Sequence, residues 1–568
     1  MKYTGARILV ELLIEQGVEV IFGYPGGAVL HIYDELYRQQ KKIRHVLVSH
    51  EQHAAHAADG YARASGRVGV CLATSGPGST NLVTGIATAF VDSIPIVAIT
   101  GNVSTALLGK DSFQEVDIAG ITMPIVKHNW IVKDVEELAE VVREAFIVAK
   151  SGRPGPVLID IPKDICSALC EWQHGEEKTP ADDCRTERFA ERGRRQTFTE
   201  ADITNAVSLL EKAKRPMFYA GGGVINSGAA AELKKLAELL NAPVALSLMG
   251  MGAFPENHRL CTGLIGMHGS AASNKAVQKT DLLVAVGARF SDRVTSQVER
   301  FARSAKILHI DIDPAEINKN LKSDACVTGD LKTVLGSLLK KLPGKISTEW
   351  NDEISEWKAV VPKDHHRKTA LHPRFIIKET ARALGNQTIV VTDVGQHQIW
   401  TAQFYPFSRP RSFLSSGGMG TMGYGLGAAI GAKLAEQEKP VVLFTGDGCF
   451  KMNSAEMATL VKYRLPVLII VFNNGTLGML RQWQNLFYDS HYYQTDLDNV
   501  CPDFIKLAAA YGVPGFRAKN ESEFFDALKN SLNVLAKGKP ALIEAIIDKD
   551  ERVVPMVPGG RPIDEQIM

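Results

Sequence analysis

Short, unbroken runs of Val, Ile and Leu recur along the whole chain, most leading into a glycine-bearing turn and a stretch of helical character. In the first third they fall at 68–73, 94–100 and 156–161. The middle third has 217–220, 244–248, 282–286 and 307–312, and the last third 389–392, 441–444, 467–472 and 541–547. Continuous apolar runs, as opposed to alternating ones, mark strands buried on both faces of a parallel sheet. The segments between them, such as 6–16 closed by Gly17, suit crossover helices. Two stretches break the rhythm: 175–195, charged and carrying Pro180, and 342–372, polar with scattered prolines. Both read as linkers. The fold class is therefore α/β, with three doubly wound parallel-sheet domains at about 1–170, 195–342 and 370–550. The length of 568 residues agrees, at roughly 150 residues per domain.

The bulk chemistry removes several function classes. A net charge of +1, with no basic stripe among aromatics, argues against a nucleic-acid partner. No apolar run reaches the ~20 residues that span a bilayer. The N-terminal stretch is interrupted by Glu11, Glu15 and Gln16, so it reads as an amphipathic helix and not a signal peptide. Eight scattered cysteines, the closest pair being Cys166 and Cys170, offer no CxxC metal site. Reduced thiols and a cytoplasmic location are expected.

Two turns carry the strongest chemical signal. Gly446-Asp447-Gly448 follows the run VVLFT, and Asn473-Asn474-Gly475 follows PVLIIVF. Either alone is a common turn. Together they place a carboxylate and a carboxamide at the ends of two buried strands, 27 positions apart, with a helix-length segment between. Oxygen ligands of this kind suit Mg²⁺, which shares its octahedron with phosphates. The carboxyl edge of a parallel sheet is where such ligands gather. Glycines beside Asp447 let backbone N–H groups approach a diphosphate, and a helix from about Ser454 adds its dipole. A further carboxylate, Glu51, directly follows the apolar run HVLVS. A solvated residue opening a helix is the plain reading. The four alanines at 54, 55, 57 and 58 suggest instead a helix packed closely against another surface.

The pair of turns resembles the thiamine diphosphate signature, GDG followed by NN. The match then extends nearly end to end: FGYPGGA at 22–28, HEQ at 50–52, TSGPG at 74–78, DSFQEVD at 111–117 and SGRPGPV at 151–157. GMHG at 266–269, GARFSDR at 287–293, HIDIDP at 309–314 and DVGQHQ at 393–398 continue it. SGGMGTMG at 416–423, GMLRQWQ at 478–484 and PMVPGG at 555–560 complete it. In this order the motifs resemble the catalytic subunit of the biosynthetic, FAD-containing acetohydroxyacid (acetolactate) synthases. Arg153, the GMHG segment and Trp483 set the chain apart from pyruvate oxidases and flavin-free catabolic acetolactate synthases.

The resemblance implies thiamine diphosphate, Mg²⁺ and a structural FAD as cofactors. It implies decarboxylation of pyruvate and condensation of the hydroxyethyl carbanion with pyruvate or 2-ketobutyrate, in valine, leucine and isoleucine biosynthesis. By the same resemblance, Asp447, Asn474 and the carbonyl of Thr476 bind Mg²⁺, and Gly446, Gly448, Cys449, Gln396 and His397 face the diphosphate. Gly420 and Met422 meet the aminopyrimidine, with Met422 as the wedge that bends the cofactor. Glu51 shares a proton with the ring; buried in an apolar slot, its pKa should rise. Arg293 pairs with the second keto acid's carboxylate, with an interdomain salt bridge as the alternative, and Trp483 walls the acceptor pocket. Phe113, Gln114 and Lys163 line the entrance. Arg153, Gly221, Gly222, Gly223, Met267, His268, Gly287, Arg289, Arg293, Asp311 and Asp330 contact the flavin. Ser291 stands where the family usually has Asp, which bears on flavin hydrogen bonding. Sites shared between chains imply a homodimer or tetramer, and a small regulatory subunit is typical.

Overall fold

The computed structural model describes residues 1–173, 198–344, 348–359, 371–498 and 500–568. The expected linker at 175–195 lies outside them.

Among the described residues, eight strands occupy the first part of the chain: β1 (Lys2–Thr4), β2 (Val20–Gly23), β3 (Arg44–Leu47), β4 (Gly69–Ala73), β5 (Ile96–Asn102), β6 (Asn129–Ile131), β7 (Val157–Pro162) and β8 (Leu169–Glu171). β1 and β8 form a small antiparallel pair, and the other six form a parallel sheet in the order β3-β2-β4-β5-β7-β6. The middle sheet contains β9 (Pro216–Ala220), β10 (Val244–Leu246), β11 (Cys261–Leu264), β12 (Leu282–Val286), β13 (Lys306–Asp311) and β14 (Ala325–Thr328). Its order is β11-β10-β9-β12-β13-β14, all parallel. The last sheet contains β15 (Ile389–Thr392), β16 (Phe413–Leu414), β17 (Val441–Gly446), β18 (Val467–Asn473), β19 (Gly515–Ala518) and β20 (Ala541–Ile546). Its order is β16-β15-β17-β18-β20-β19, again all parallel.

Counted within each domain, the middle sheet runs 3-2-1-4-5-6, the dinucleotide-binding order. The first and last sheets both run 2-1-3-4-6-5. The two outer domains are thus copies of one topology, although no repeat is visible in their sequences.

The buried apolar runs became the central strands because neither face meets water: every residue of β4, β5, β7, β9, β12, β15 and β17 is buried. Strands that the apolar pattern missed, such as β6 and β14, are short and only partly buried. The segment 342–372 is not wholly a linker. Thr348–Lys358 is a helix whose Trp350 is buried against the middle sheet and donates its indole N–H to the Pro216 carbonyl at 3.1 Å. Trp350 and Trp357 supply the apolar surface that the polar composition concealed.

The outer domains meet through two helices, Glu51–Ser65 and Gly425–Ala435. His50 caps the first through its Nδ1, and Gly66, at φ +77°, ends it. Its alanines at 54, 55, 57 and 58 are fully buried. A Cβ on Gly60 would sit 2.1 Å from the Ala428 carbonyl oxygen, and one on Gly431 would sit 1.9 Å from that of Ala57. The helices therefore cross backbone on backbone. A continuous apolar core joins the first domain to the last, and another joins the middle to the last.

Candidate active site

β15 and β17, the first and third strands of the last sheet, flank its switch point, where strand order reverses and ligands of open α/β sheets gather. β17 ends at Gly446, and a helix starts immediately at Asp447 (Asp447–Asn453). The helix expected from Ser454 therefore begins seven residues earlier, and its positive end lies on the carboxylate itself. Asp447 Oδ1 accepts the Gly448 N–H at 2.7 Å and Oδ2 the Gly475 N–H at 2.8 Å. This brings the two turns together. Burial pushes the Asp447 carboxyl up to about 7, against the opposing pull of the Gly448, Gly475, Asn474 and Thr476 amides. A carboxylate so short of water is stabilised by a cation. Thr476 is buried, and its N–H donates to Asn474 Oδ1 at 3.2 Å. Among the described residues no group of three His, Cys, Asp or Glu is placed to hold a metal ion. An ion here would depend on one carboxylate, amide and carbonyl oxygens, and phosphate.

His397 completes one wall. Burial lowers its imidazole to about 3, and its buried Nε2 has no hydrogen-bond partner among the described residues. The ring stands so close to Gly446 that a Cβ there would be 3.0 Å from Nδ1. An unpartnered ring nitrogen beside a glycine turn fits a diphosphate oxygen. Gln396 is engaged elsewhere: its Nε2 donates to Gln482 Oε1 (3.0 Å) and the Glu551 carbonyl (2.8 Å), and its Oε1 faces Asn474 Nδ2 at 3.4 Å. Gln482 adjoins Trp483 on the helix Gly478–Phe487, so this bond seats the helix carrying that tryptophan. Trp483 is half-buried, with Phe487 edge-on at 5.5 Å. Cys449 Sγ donates to the Val394 carbonyl at 3.1 Å, and burial holds its thiol well above the ordinary range. Gly420 (φ +70°) and Gly423 (φ +85°) give the 416–423 loop its turn, and Met422 Cε lies 3.7 Å from where a Cβ on Gly448 would sit. The three loops thus converge.

Within one chain the contacts of Glu51 lie in its own domain. Its Oε2 accepts from Asn81 Nδ2 at 3.0 Å, and Oε1 lies 3.3 Å from a Cβ built on Gly78. It is half-exposed with a polar partner, so a single chain does not enclose it in the expected apolar slot. The Gln114 backbone (φ +61°) abuts Gly76 in the same TSGPG turn. Phe113 is 89% exposed, and Lys163, just past β7, is exposed too. Arg293 shares the short helix Asp292–Thr295 with Asp292, 3.8 Å from its Nε, both side chains largely exposed. It forms no interdomain bridge among the described residues, and no dry pocket surrounds it.

The proposed flavin residues cluster at the carboxyl edge of the middle sheet. Gly221–Gly223 follow β9 and Gly287 (φ +52°) follows β12, on either side of the switch point. The turns touch: Gly223 N–H donates to the Gly287 carbonyl at 3.0 Å, and a Cβ on Gly221 would lie 2.2 Å from that oxygen. Met267 and His268 follow β11; burial lowers His268 to about 4, and its Nδ1 has no partner among the described residues. Asp311 ends β13, and burial raises its carboxyl to about 6. Asp330 caps the helix Leu331–Lys341. Arg153 reaches from the first domain to Asp313 and Glu316 at 3.2 and 2.8 Å. Arg289 Nη2 approaches the Gly418 turn, 3.4 Å from a Cβ built there. Strand order, crowded glycines and an unpartnered imidazole fit a dinucleotide.

Several buried groups at these turns were invisible in the sequence. Asp393, fully buried, accepts from the Gly425 N–H (2.8 Å) and the Thr445 hydroxyl (2.7 Å), tying β15 and β17 to the Gly425–Ala435 helix. Asp59, Arg63, Asp92, Tyr424 and Glu456 link the outer domains. Asp393 alone lay within one of the motifs; the contacts by which the others cross between the domains join residues more than 300 positions apart, which no local pattern encodes.

Comparison with known proteins gives matches in all three domains. Residues 3–121 match the thiamine pyrophosphate enzyme N-terminal TPP binding domain, 203–338 its central domain and 393–545 its C-terminal TPP binding domain. A "Probable acetolactate synthase large subunit" of Methanocaldococcus jannaschii is 47% identical over 570 residues, covering 98% of this chain and 94% of that one. An "Acetolactate synthase large subunit" of Corynebacterium glutamicum is 45% identical over 571 residues, covering 98% and 89%. An "Acetolactate synthase" of Arthrospira platensis is 45% identical over 575 residues, covering 98% and 96%.

Proposed function

The chain belongs to the thiamine pyrophosphate enzymes, among the acetolactate synthases, and on that premise we propose how its residues divide the reaction. The enzyme decarboxylates pyruvate and joins the remaining two-carbon unit to a second 2-keto acid. Pyruvate as acceptor gives 2-acetolactate and 2-ketobutyrate gives 2-aceto-2-hydroxybutyrate, towards valine, leucine and isoleucine.

Bound thiamine diphosphate supplies the electron sink for this chemistry. Asp447, Asn474 and the Thr476 carbonyl hold Mg²⁺ against the diphosphate. Gly446, Gly448 and Cys449 offer backbone groups to the same oxygens, and His397 offers Nε2. Gln396 acts from behind, through Asn474 and the Trp483 helix. The backbone of Gly420 and the side chain of Met422 fix the ring, and Glu51 shares a proton with its pyrimidine nitrogen. Arg293 pairs with the carboxylate of the second keto acid, a fork-shaped cation matched to a planar anion. Trp483 walls the acceptor pocket, with Phe113, Gln114 and Lys163 at its entrance. A structural FAD would be held at the carboxyl edge of the middle sheet by Arg153, Gly221–Gly223, Met267, His268, Gly287, Arg289, Arg293, Asp311 and Asp330. The domains divide near 1–170, 195–342 and 370–550.

One observation carries this reading: the Asp447 carboxylate, buried at the switch point and bonded to the Asn-Gly turn. Because the contacts of Glu51 within a chain are with Asn81 and the Gly78 turn of its own domain, we take the working unit to be a homodimer or tetramer in which Glu51 serves a neighbour's cofactor. The "large subunit" names of the relatives support a small regulatory partner. No helix among the described residues is long and apolar enough to cross a membrane, which agrees with a cytoplasmic location.

The test is to incubate purified protein with pyruvate, thiamine diphosphate, Mg²⁺ and FAD and to measure acetolactate as acetoin after acid decarboxylation. Chelation should abolish product and Mg²⁺ restore it, while visible flavin absorbance persists unbleached by pyruvate. Full activity after exhaustive chelation would remove the metal from the scheme, and a protein that never retains flavin would remove FAD.

A further inference from the structure

The shared strand order of the outer sheets lets their parts be matched one to one. β3, the second strand of the first domain, corresponds to β16 in the last, and β4 corresponds to β17. The turn after β3 carries His50 and Glu51; the loop after β16 carries residues 416–423. Each of these segments is gripped by a carboxylate from the opposite domain. Each gripping carboxylate lies between the third and fourth strands of its own sheet.

Glu456, fully buried between β17 and β18, reaches the first domain. Its Oε1 accepts the N–H groups of Ser49 (2.8 Å) and His50 (3.2 Å) and meets His53 Nδ1 at 3.0 Å, while Oε2 accepts from Thr459 Oγ1 at 2.6 Å. Ser49 Oγ donates to the Ala455 carbonyl and Leu47 N–H to the Tyr463 hydroxyl, so the whole turn before Glu51 is seated on residues 455–463. Asp92, between β4 and β5 with its side chain 1% exposed, reaches the other way. Its Oδ1 accepts the Gly418 N–H (2.8 Å) and Oδ2 the Gly417 N–H (3.1 Å) and Arg63 Nη2 (2.9 Å). Arg63 Nη1 also donates to the Ser415 carbonyl at 3.0 Å, and Thr88 Oγ1 bonds Thr421 Oγ1 at 2.7 Å.

We propose that Glu456 and Asp92 are a reciprocal pair of positioning residues: Glu456 sets the turn that presents Glu51, and Asp92 sets the loop that presents Gly420 and Met422. This rests on the roles given above to Glu51 and to that loop. A buried side-chain oxygen that accepts backbone amides holds them in place, and removing the acceptor strands the amides without water. A misplacement of about 1 Å at a proton-transferring group is enough to cost rate.

The test uses the full chain in two measurements. Amide hydrogen exchange of the protein without cofactor should quicken in the 47–53 segment for Glu456→Ala and in the 415–421 segment for Asp92→Ala, each without the other. With saturating thiamine diphosphate and Mg²⁺, deuterium exchange at the cofactor C2 carbon should slow about tenfold in Glu456→Ala. The cofactor Kd should stay within about threefold of wild type there, whereas Asp92→Ala should raise it about tenfold. Glu456→Gln keeps the reach and the acceptor oxygen, and should recover both the amide protection and the C2 exchange. Glu456→Asp keeps the charge but draws back from the amides, and should recover neither. Should Glu456→Ala fail to fold, the contrast between Glu456→Gln and Glu456→Asp decides between clamp and bystander.

Equal quickening of both segments in one variant, C2 exchange at the wild-type rate in Glu456→Ala, or Glu456→Gln as slow as Glu456→Asp would each overturn the proposal. Glu51→Gln is the control: wild-type C2 exchange in that variant would refute the role of Glu51, while amide exchange would still judge the clamps.

Discussion

At the residue scale the chemistry concentrates on a few side chains whose surroundings differ sharply. Asp447 is buried and amide-bonded, whereas Glu51 is half-exposed with Asn81 as its partner. Glu51→Gln should retain thiamine diphosphate but lower turnover by about a hundredfold or more, within the range of general acid–base catalysis. Steady-state acetolactate assays beside cofactor titrations check it, and wild-type turnover would remove Glu51 from proton transfer. Trp483→Leu should spare acetolactate formation and lower the preference for 2-ketobutyrate by about tenfold, as befits one methylene in an apolar pocket. Competition between the two acceptors with product analysis measures this, and an unchanged product ratio would count against the wall. Legibility at this scale followed locality. Asp447, Asn474 and His397 stand in short motifs next to apolar runs, so sequence alone could nominate them. Glu456 and Asp92 act on backbone amides more than 300 positions away, and no local pattern encodes such a bond.

At the element scale the decisive feature is the crossing of the Glu51–Ser65 and Gly425–Ala435 helices. Gly431→Ala would drive a Cβ to 1.9 Å from the Ala57 carbonyl and 2.7 Å from the Tyr61 nitrogen, both backbone atoms that no rotamer can move aside. Its unfolding free energy should fall by about 2–3 kcal/mol or more. Gly336→Ala, in the helix Leu331–Lys341 with nothing within 4 Å of the new methyl, should instead gain up to about 1 kcal/mol from helix propensity. Denaturant melts of the two variants test both signs, and a stable Gly431→Ala would mean that the helices can part. The alanine-rich face of the first helix was readable as a close-packing surface, but its partner was not. The start of the Asp447–Asn453 helix was missed because GDG reads as a turn, and glycine at the second position hides a helix. The Thr348–Lys358 helix was missed because only Trp350, Ile354 and Trp357 of it pack on the core, in an otherwise polar stretch.

At the scale of the whole molecule, buried histidines give the fold an acid limit. Burial is the main cause holding His45 at about 4, His56 at about 3 and His268 at about 4, each below the ordinary value of 6.5. Depressed pKa values in bases keep the folded state neutral. Their contribution is therefore fully present above pH ~6.5 and is lost as pH falls towards ~4, at up to about 1.4 kcal/mol per pH unit for each group. Over the same window the carboxyls that burial raises, Asp447 and Asp311, act in the opposite direction, so the histidine effect is read as a difference: the unfolding midpoint of the cofactor-free protein should fall less with acid in His56→Leu than in wild type, and an equal fall would place the acid sensitivity elsewhere. The three-domain α/β plan was legible in the sequence because central strands announce themselves by unbroken apolar runs. The duplicated 2-1-3-4-6-5 order was not, because strand order depends on contacts that composition does not record. The glycine crossing between the two copies has one more consequence. A joint made of main chain against main chain encloses almost no void and offers no side chain to reshuffle, so hydrostatic compression finds little volume to remove there. Under pressure the looser margins of the molecule should yield first, while the spacing between its two outer halves holds.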